Sequence, residues 1–194
     1  MAEFTQALPF ILKHEGTTLY EDKETGERSR YGITSTLLNQ IFYTQRDPDK
    51  LTMDQVSEVY IRCFWDMNEF NQLDSQLVAN KVMDMTINMK FSWGVRLLQA
   101  ALNMCGAQCV IDGIMGPHTI VTVNQYTSSL LNEEKLLGEL ALQSVSYYKR
   151  NAVGPLAKDL PGWLTRAEDI GMGTADKNAF STLRDGNDDK VVKG

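Results

Sequence analysis

Apolar residues recur at helical spacing along most of this 194-residue chain, and this periodicity constrains the fold more than any other feature. The clearest case begins at Thr52-Met53-Asp54-Gln55, which has the pattern of a helix-capping box. The apolar residues after the box share one helix face: Val56, Val59, Tyr60, Cys63 and Phe64. The sequence therefore predicts a mainly α-helical fold.

Start and stop signals place the other predicted helices. Glycine after an apolar stripe ends a helix, Ser or Asn caps a helix start, and proline suits the first helical position. The boundaries predicted in this way are an end at Gly16, starts at Ser92, Pro117 and Asn132, and a last helix from near Pro161 to Gly171.

The segment Thr17–Thr34 differs from the rest because it is rich in charged residues, Thr, Gly and Ser. Its Tyr20, Tyr31 and Ile33 suit short strands around a turn at Gly26. We expect a small β-hairpin or an irregular lobe here, which makes the fold class mainly α with a small α+β lobe.

The helical pattern restarts near Lys90–Ser92 without a Pro- or Gly-rich spacer. This restart predicts two closely packed modules, residues 1–90 and 91–175. A polar tail, 176–194, is expected to follow them.

Composition excludes several functional classes. A net charge of -6 argues against general nucleic-acid binding, which needs a basic surface. With 2 His and 3 Cys, the chain has little material for metal sites or a Ser-His-Asp triad. The cysteines are expected to be buried thiols. No apolar run approaches the roughly 18 residues that a membrane helix needs, so no membrane association is expected.

Glu15 is the first candidate catalytic residue. It ends an apolar helix and precedes Gly16, so its carboxyl group is expected at the edge of the core, facing the irregular segment. Partial burial would raise its pKa towards that of a general acid. The local context alone favours the alternative, an exposed carboxylate at a helix end.

The residues around Glu15 show a family resemblance through the pattern Glu15-Gly16-(x)3-Tyr20-(x)3-Glu24-x-Gly26-(x)2-Ser29-x-Tyr31-Gly32-Ile33-Thr34. It resembles the opening of glycoside hydrolase family 108, lysozyme-like N-acetylmuramidases with a Glu-Gly pair, an Asp, a Gly-Gly-x-Thr run and a Tyr-Gly-Ile-Thr run. Later matches to the same family are Tyr60 and Trp65, and Asp84 and Asn88, with Met83 in place of a Phe.

A second set of residues resembles the C-terminal peptidoglycan-binding module of that family. It comprises Leu97-Leu98-Gln99-(x)2-Leu102-Asn103, Asp112-Gly113-(x)2-Gly116-Pro117-x-Thr119, Tyr147-Tyr148 and Gly162-Trp163-(x)2-Arg166. Together the two sets cover residues 4–171. The resemblance implies a lysozyme-like fold with a helical C-terminal module.

The resemblance also implies hydrolysis of the β-1,4 bond between N-acetylmuramic acid and N-acetylglucosamine, with no metal ion or cofactor. Glu15 matches the catalytic Glu and would be the general acid. Glu24 stands at the position of the family's Asp and would orient or deprotonate a water. Ser29 stands at the position of its Thr, and its hydroxyl would hold that water. Asp22 is a rival base. Alternatively, the acidic residues form a solvated turn, in which Glu27 replaces a glycine and adds charge.

Four further residues are candidate substrate ligands. Asp84 and Asn88 lie four residues apart, so both would face one sugar cleft, or else make a helix–helix polar contact. For Tyr20 and Tyr31, sugar stacking competes with core packing. Trp65 and Trp163 are expected to be structural.

The N-terminus lacks the pattern of a secretory signal. An enzyme made in the cytoplasm would then reach peptidoglycan by export, by injection as a contact-dependent antibacterial effector, or through holin lesions as a phage endolysin. The acidic charge favours the effector, which would require an immunity protein as partner. The alternatives to a muramidase are an inactive wall-binding protein and a lytic transglycosylase.

Overall fold

The computed structural model describes residues 1–43, 46–89 and 91–171, and these are mainly helical. The predicted polar tail, 176–194, lies outside the described residues. Eight α-helices occur in the described part: α1 Phe4–Glu15, α2 Ser35–Phe42, α3 Met53–Tyr60, α4 Gln76–Asn88, α5 Phe91–Met104, α6 Pro117–Tyr126, α7 Leu130–Asn151 and α8 Leu160–Glu168. Short 3-10 or π turns add Pro48–Lys50, Ile61–Trp65, Asp66–Asn68, Phe70–Gln72 and Gly154–Asp159. The predicted mainly α class is confirmed.

The irregular segment forms three strands where a hairpin was expected: β1 Tyr20–Glu21, β2 Arg28–Arg30 and β3 Ile33–Thr34. They make an antiparallel sheet in the order β1-β2-β3. The third strand is added because Tyr31 and Gly32 both take left-handed φ angles, 55° and 70°, and turn the chain back immediately.

Several helix boundaries follow the sequence signals. Both hydrogen bonds of the capping box form between Thr52 and Gln55. Gly16 ends α1 with φ 74°, and Pro117 is the first residue of α6. Two predicted starts are wrong. Helix α5 already includes Phe91, so Ser92 lies in its first turn, and Ser129 caps α7 three residues before Asn132.

Helix α4 is the centre of the fold. Nine consecutive residues, Val78–Thr86, are buried, so this helix has no solvent-facing side over most of its length. It packs against α1, α5 and α7. Helix α5 approaches it closely at Gly94, where an added Cβ would lie 2.6 Å from the backbone nitrogen of Thr86. Helices of both predicted modules therefore share one core, while the boundary near residue 90 stays a prediction.

The loop between α5 and α6 is organised by Gln99, which is fully buried. Its amide nitrogen donates to Asp112 Oδ1 at 2.7 Å and to Thr119 Oγ1 at 3.1 Å, and its oxygen accepts from the Gly113 backbone at 2.8 Å. The motif residues assigned to the C-terminal module thus bind one another and fix the loop.

All three cysteines are free and half-buried. Burial raises the pKa of each thiol. No helix in the described part of the chain is long and apolar enough to cross a membrane.

Two residues, Lys81 and Asp169, fix the C-terminal end of α8 against the rest of the molecule. Fully buried Lys81 on α4 donates from Nζ to the backbone carbonyls of Arg166, Ala167 and Asp169, each at 2.9 Å. These carbonyls lie at or just beyond the helix end, where intrahelical partners run out. The Asp169 carboxylate, in turn, lies 3.0 Å from His14 Nε2 of α1 and is also bound by Lys13. The end of α1 and the end of α8 are therefore held side by side.

We expect Lys81→Met to lower the free energy of unfolding by about 2–4 kcal/mol, because three buried carbonyls lose their donor. Burial lowers the pKa of Lys81 from 10.5 to about 8. Between these two pKa values the unfolded chain binds more protons than the folded protein. The contribution of Lys81 to the free energy of unfolding therefore rises with pH in this range. The stability gap between wild type and variant should widen from pH 8 to pH 10 in urea titrations.

Lys135→Met removes an exposed lysine of α7 and serves as the control. A Lys81→Met protein as stable as this control would show that the three carbonyl contacts are not needed.

Candidate active site

Glu15 is the last residue of α1, and Gly16 turns the chain away from the helix immediately after it. The Glu15 side chain is 16% exposed, so the carboxyl group lies at the edge of the core, as the sequence predicts. Its Oε1 accepts a hydrogen bond from Arg166 Nη2 at 2.6 Å. The contact brings together residues 151 positions apart in the sequence.

Arg166 of α8 also binds Asp84 of α4. Its Nε donates to both Asp84 oxygens, at 3.0 and 3.1 Å, and its Nη2 lies 2.8 Å from Oδ1. Burial alone would lower the pKa of Arg166, but the charges of Asp84 and Glu15 outweigh it and raise that pKa above its ordinary value. Arg166 is therefore a permanent cation between two carboxylates.

Asp84 is 1% exposed, and the Arg166 contacts occupy both of its oxygens. The structure thus places it in a helix–helix polar contact, the alternative to a direct sugar ligand. Its effect on the site passes through Arg166, which it holds beside Glu15.

A tight turn between β2 and β3 closes the other side of Glu15. A Cβ added to Gly32 would lie 2.4 Å from Glu15 Oε2, so only a glycine permits this approach. Tyr31 precedes it in the left-handed region with φ 55°, and its carbonyl accepts from the Tyr60 hydroxyl at 2.6 Å. Burial, reinforced by the charge of Glu15, raises the pKa of Tyr60. Glu15 thus lies between the guanidinium of α8 and the backbone of this turn.

Tyr31 is half-buried, and its ring lies 4.9 Å from the guanidinium carbon of Arg30. Tyr20 is 61% exposed, opposite Ser29 in the sheet, and Ser29 also pairs with Thr34. Residues directly opposite each other in an antiparallel pair share a face, so Tyr20 and Ser29 lie on the same side of the sheet.

The acidic residues of the loop before β2 have different surroundings. Asp22 Oδ1 accepts from the backbone nitrogens of Glu24 and Thr25 and from Thr25 Oγ1, at 2.8–2.9 Å. These bonds, the Thr25 backbone first, lower the pKa of Asp22. Glu24 is exposed, and its carboxylate makes no hydrogen bond within the described residues. Asp22 therefore shapes the turn, while Glu24 remains available to a water or a substrate.

Glu27 has a structural role that the sequence analysis missed. Its carboxylate accepts from Thr36 N at 2.9 Å, Thr36 Oγ1 at 3.1 Å and Ser35 Oγ at 3.2 Å, in the first turn of α2. These bonds, led by the Thr36 backbone, lower the pKa of Glu27. Glu27 replaces a glycine of the family pattern, yet it does not take a positive φ angle; Gly26 before it does, at 70°.

Asn88 ends α4 and is exposed, and its Oδ1 accepts from the Tyr148 hydroxyl at 3.2 Å. Trp65 is buried in the core, as expected, whereas half-buried Trp163 packs against Tyr148 with ring centroids 5.4 Å apart. In the described part of the chain, no three His, Cys, Asp or Glu side chains are placed to hold a metal ion.

A largely buried Glu at the end of the first helix lies against a turn of a small antiparallel sheet, beside a helical core. This arrangement is that of a lysozyme-like fold with a carboxylate site. Comparison with known proteins agrees. The family model described as Glycosyl hydrolase 108 matches residues 8–89, which include Glu15, the sheet, Asp84 and Asn88. This match confirms the resemblance to that family over these residues.

Among solved structures, the chain is similar to that reported as "Structure of Brucella abortus SagA", with a TM-score of 0.67. The two share 19% sequence identity over 93% of this chain and 95% of the other, a likeness that shows the fold alone. Comparison with curated proteins gave no sequence match.

Gly32→Ala should impair hydrolysis more than stability, because its Cβ would displace the Glu15 carboxylate. Gly26→Ala is the matched control: its φ is also 70°, but nothing lies within 4 Å of the added Cβ. Both variants should lose about 1–2 kcal/mol of unfolding free energy from the left-handed backbone. Only Gly32→Ala should lose most of the reducing-end release from peptidoglycan. Equal activity of the two variants would contradict this account.

Glu27→Ala should lower the melting temperature, because the first turn of α2 loses its carboxylate cap. The cap acts through the ionised carboxylate, and its pKa is lowered in the folded protein. The difference in melting temperature between wild type and variant should therefore shrink as the pH falls below 4.5. Thermal unfolding followed by circular dichroism at pH 3 and pH 7 tests this. Glu21→Ala, at an exposed position in β1, is the control and should leave the melting temperature unchanged.

Proposed function

We propose that this protein is an N-acetylmuramidase that hydrolyses the β-1,4 bond between N-acetylmuramic acid and N-acetylglucosamine in peptidoglycan. The observation that carries the proposal is the carboxyl group of Glu15, fixed between Arg166 and the Gly32 turn yet open to solvent at one edge. A fixed acid of this kind is what cleavage of a glycosidic bond requires.

Charge balance supports Glu15 as the general acid. With both carboxylates ionised, the cluster of Glu15, Asp84 and Arg166 carries one net negative charge, and a proton on Glu15 makes it neutral. Asp84 makes three of the four contacts to Arg166, so only one guanidinium contact is made to Glu15. After Glu15 gives its proton to the leaving oxygen, that contact stabilises the new carboxylate.

Glu24 is our proposed second group. Its carboxylate is exposed and has no hydrogen-bond partner in the described part of the loop, whereas Asp22 is engaged in the turn. Ser29 lies in β2, beyond the loop that carries Glu24, where its hydroxyl would help to hold the attacking water. Asp22 is the weaker candidate because its carboxylate shapes the backbone.

A lytic transglycosylase is the second candidate function. Such an enzyme needs a single acid/base residue and no activated water. The exposed position of Glu24, outside the Glu15–Arg166–Asp84 cluster, favours this alternative. The two reactions differ in their products, because only the transglycosylase leaves an anhydro-muramic end.

We expect Glu15→Gln to reduce release of soluble fragments from purified sacculi by about 10²–10⁴-fold, the usual loss when a general acid is removed. Glu24→Gln should also lose activity if it activates water, while Glu21→Gln, at an exposed site in β1, is the control. Mass spectrometry of the muropeptides identifies the bond cleaved and the reducing end.

A Glu15→Gln enzyme with the wild-type rate would overturn the muramidase proposal. Anhydro-muramic products with full activity in Glu24→Gln would instead identify a transglycosylase. A wild-type protein that binds sacculi without releasing fragments would identify an inactive wall-binding protein. The delivery route and an immunity partner stay predictions from the sequence.

A further inference from the structure

A groove of about 490 Å³ lies where the end of α4, the start of α5, the end of α7 and α8 meet. Its lining includes Asn88, Trp93, Tyr147, Tyr148, Arg150 and Trp163. The volume is in the range of small-molecule sites. Asn88 is a candidate sugar ligand, and Tyr147, Tyr148 and Trp163 belong to the motifs of the C-terminal module, but no role has been assigned to Trp93 or Arg150.

Four aromatic rings form a continuous row along this groove. Ring centroids are 5.6 Å apart between Trp93 and Tyr147, 5.8 Å between Tyr147 and Tyr148, and 5.4 Å between Tyr148 and Trp163. Tyr148 is buried and forms the floor, while Trp93 is 43% exposed. Flat rings that are partly open to water suit a ligand with an apolar face and polar edges, such as a pyranose ring.

The polar groups of the groove select the ligand further. The Tyr148 hydroxyl donates to Asn88 Oδ1, which leaves the two amide N–H groups of Asn88 free to donate to a ligand. They match the carbonyl oxygen of an acetamido group. Arg150 is exposed and makes no ion pair in the described part of the chain, and no carboxylate lines the groove. The groove therefore favours an N-acetylated sugar with a carboxylate nearby.

Two helices, α4 and α8, carry residues of both the groove and the candidate active site. Asn88 follows Asp84 by one turn of α4, and Trp163 precedes Arg166 by one turn of α8, so each pair shares a helix face. Tyr148 joins the two regions, since the charges of Arg166, Asp84 and Glu15 all act on its hydroxyl, whose pKa burial raises. A glycan strand cleaved at Glu15 would reach the aromatic row with its next units.

We propose that this aromatic groove is a glycan subsite: it stacks an N-acetylhexosamine unit of the strand cleaved at Glu15 on Trp93 and Trp163, and Arg150 binds a carboxylate of the peptide substituent. The proposal rests on the proposed muramidase function. It adds the expectation that the enzyme recognises both the sugar ring and the stem peptide.

Binding should be measured by calorimetry in the Glu15→Gln protein, which holds the ligand without cleaving it. The probes are chitotetraose, which has no peptide, and a disaccharide-peptide dimer from peptidoglycan. Trp93→Leu and Trp163→Leu should each weaken binding of both probes about tenfold, roughly the value of one stacking contact. Trp93→Tyr, which keeps a flat ring, should retain most of the affinity.

Arg150→Gln should weaken binding of the peptide-bearing probe and leave chitotetraose unchanged. Lys149→Gln is the matched control, because it removes the neighbouring exposed cation outside the groove. Melting temperatures verify that the variants are folded.

Unchanged affinity for both probes in the two Trp→Leu proteins, or no binding of either probe, would overturn the groove proposal. The muramidase proposal is tested separately, by hydrolysis of sacculi with proteins that retain Glu15. If wild type cleaves sacculi, Glu15→Gln does not, and the Trp variants bind normally, only the groove proposal fails.

Discussion

Arg166 joins three helices through one buried guanidinium. Arg166 lies in α8 and forms ion pairs with Asp84 of α4 and with Glu15 at the end of α1. A buried charge is tolerated only when it is paired, and removing one partner typically costs about 3–5 kcal/mol. Because Lys81 fixes the carbonyls at the end of the same helix, the position of α8, and with it the position of Glu15, depends on this set of buried charges.

The same cluster distinguishes Glu15, the proposed general acid, from an ordinary surface charge at a helix end. Arg166 limits Glu15 on one side and the glycine turn limits it on the other, so its orientation is fixed before any ligand arrives. Such preorganisation is what a general acid needs. The neighbouring aromatic groove supplies what the cluster lacks, an apolar surface with free hydrogen-bond donors, which is suited to hold the remainder of a sugar strand.

The sequence predicted local features well where the relevant partners are close along the chain. The capping box at Thr52 and the helix end at Gly16 depend on contacts within a few residues, and both form. The start of α7 was placed late because Ser129, which caps it, precedes two exposed leucines that break the expected pattern. Glu27 was misjudged because its cap on α2 lies eight and nine residues away, beyond the reach of turn rules.

Periodicity in the sequence determined the mainly helical fold and the irregular segment, since both depend on residue type and short spacing. Glu15 became the candidate acid only through the family resemblance of the motif around it. Only the tertiary structure decided that Asp84 is buried and paired, that Arg166 is the partner of Glu15, and that four aromatic residues from three helices form one row. The physical reason is distance along the chain. Glu15 and Arg166 are 151 residues apart, and an ion pair between them exists only after the helices have packed around α4.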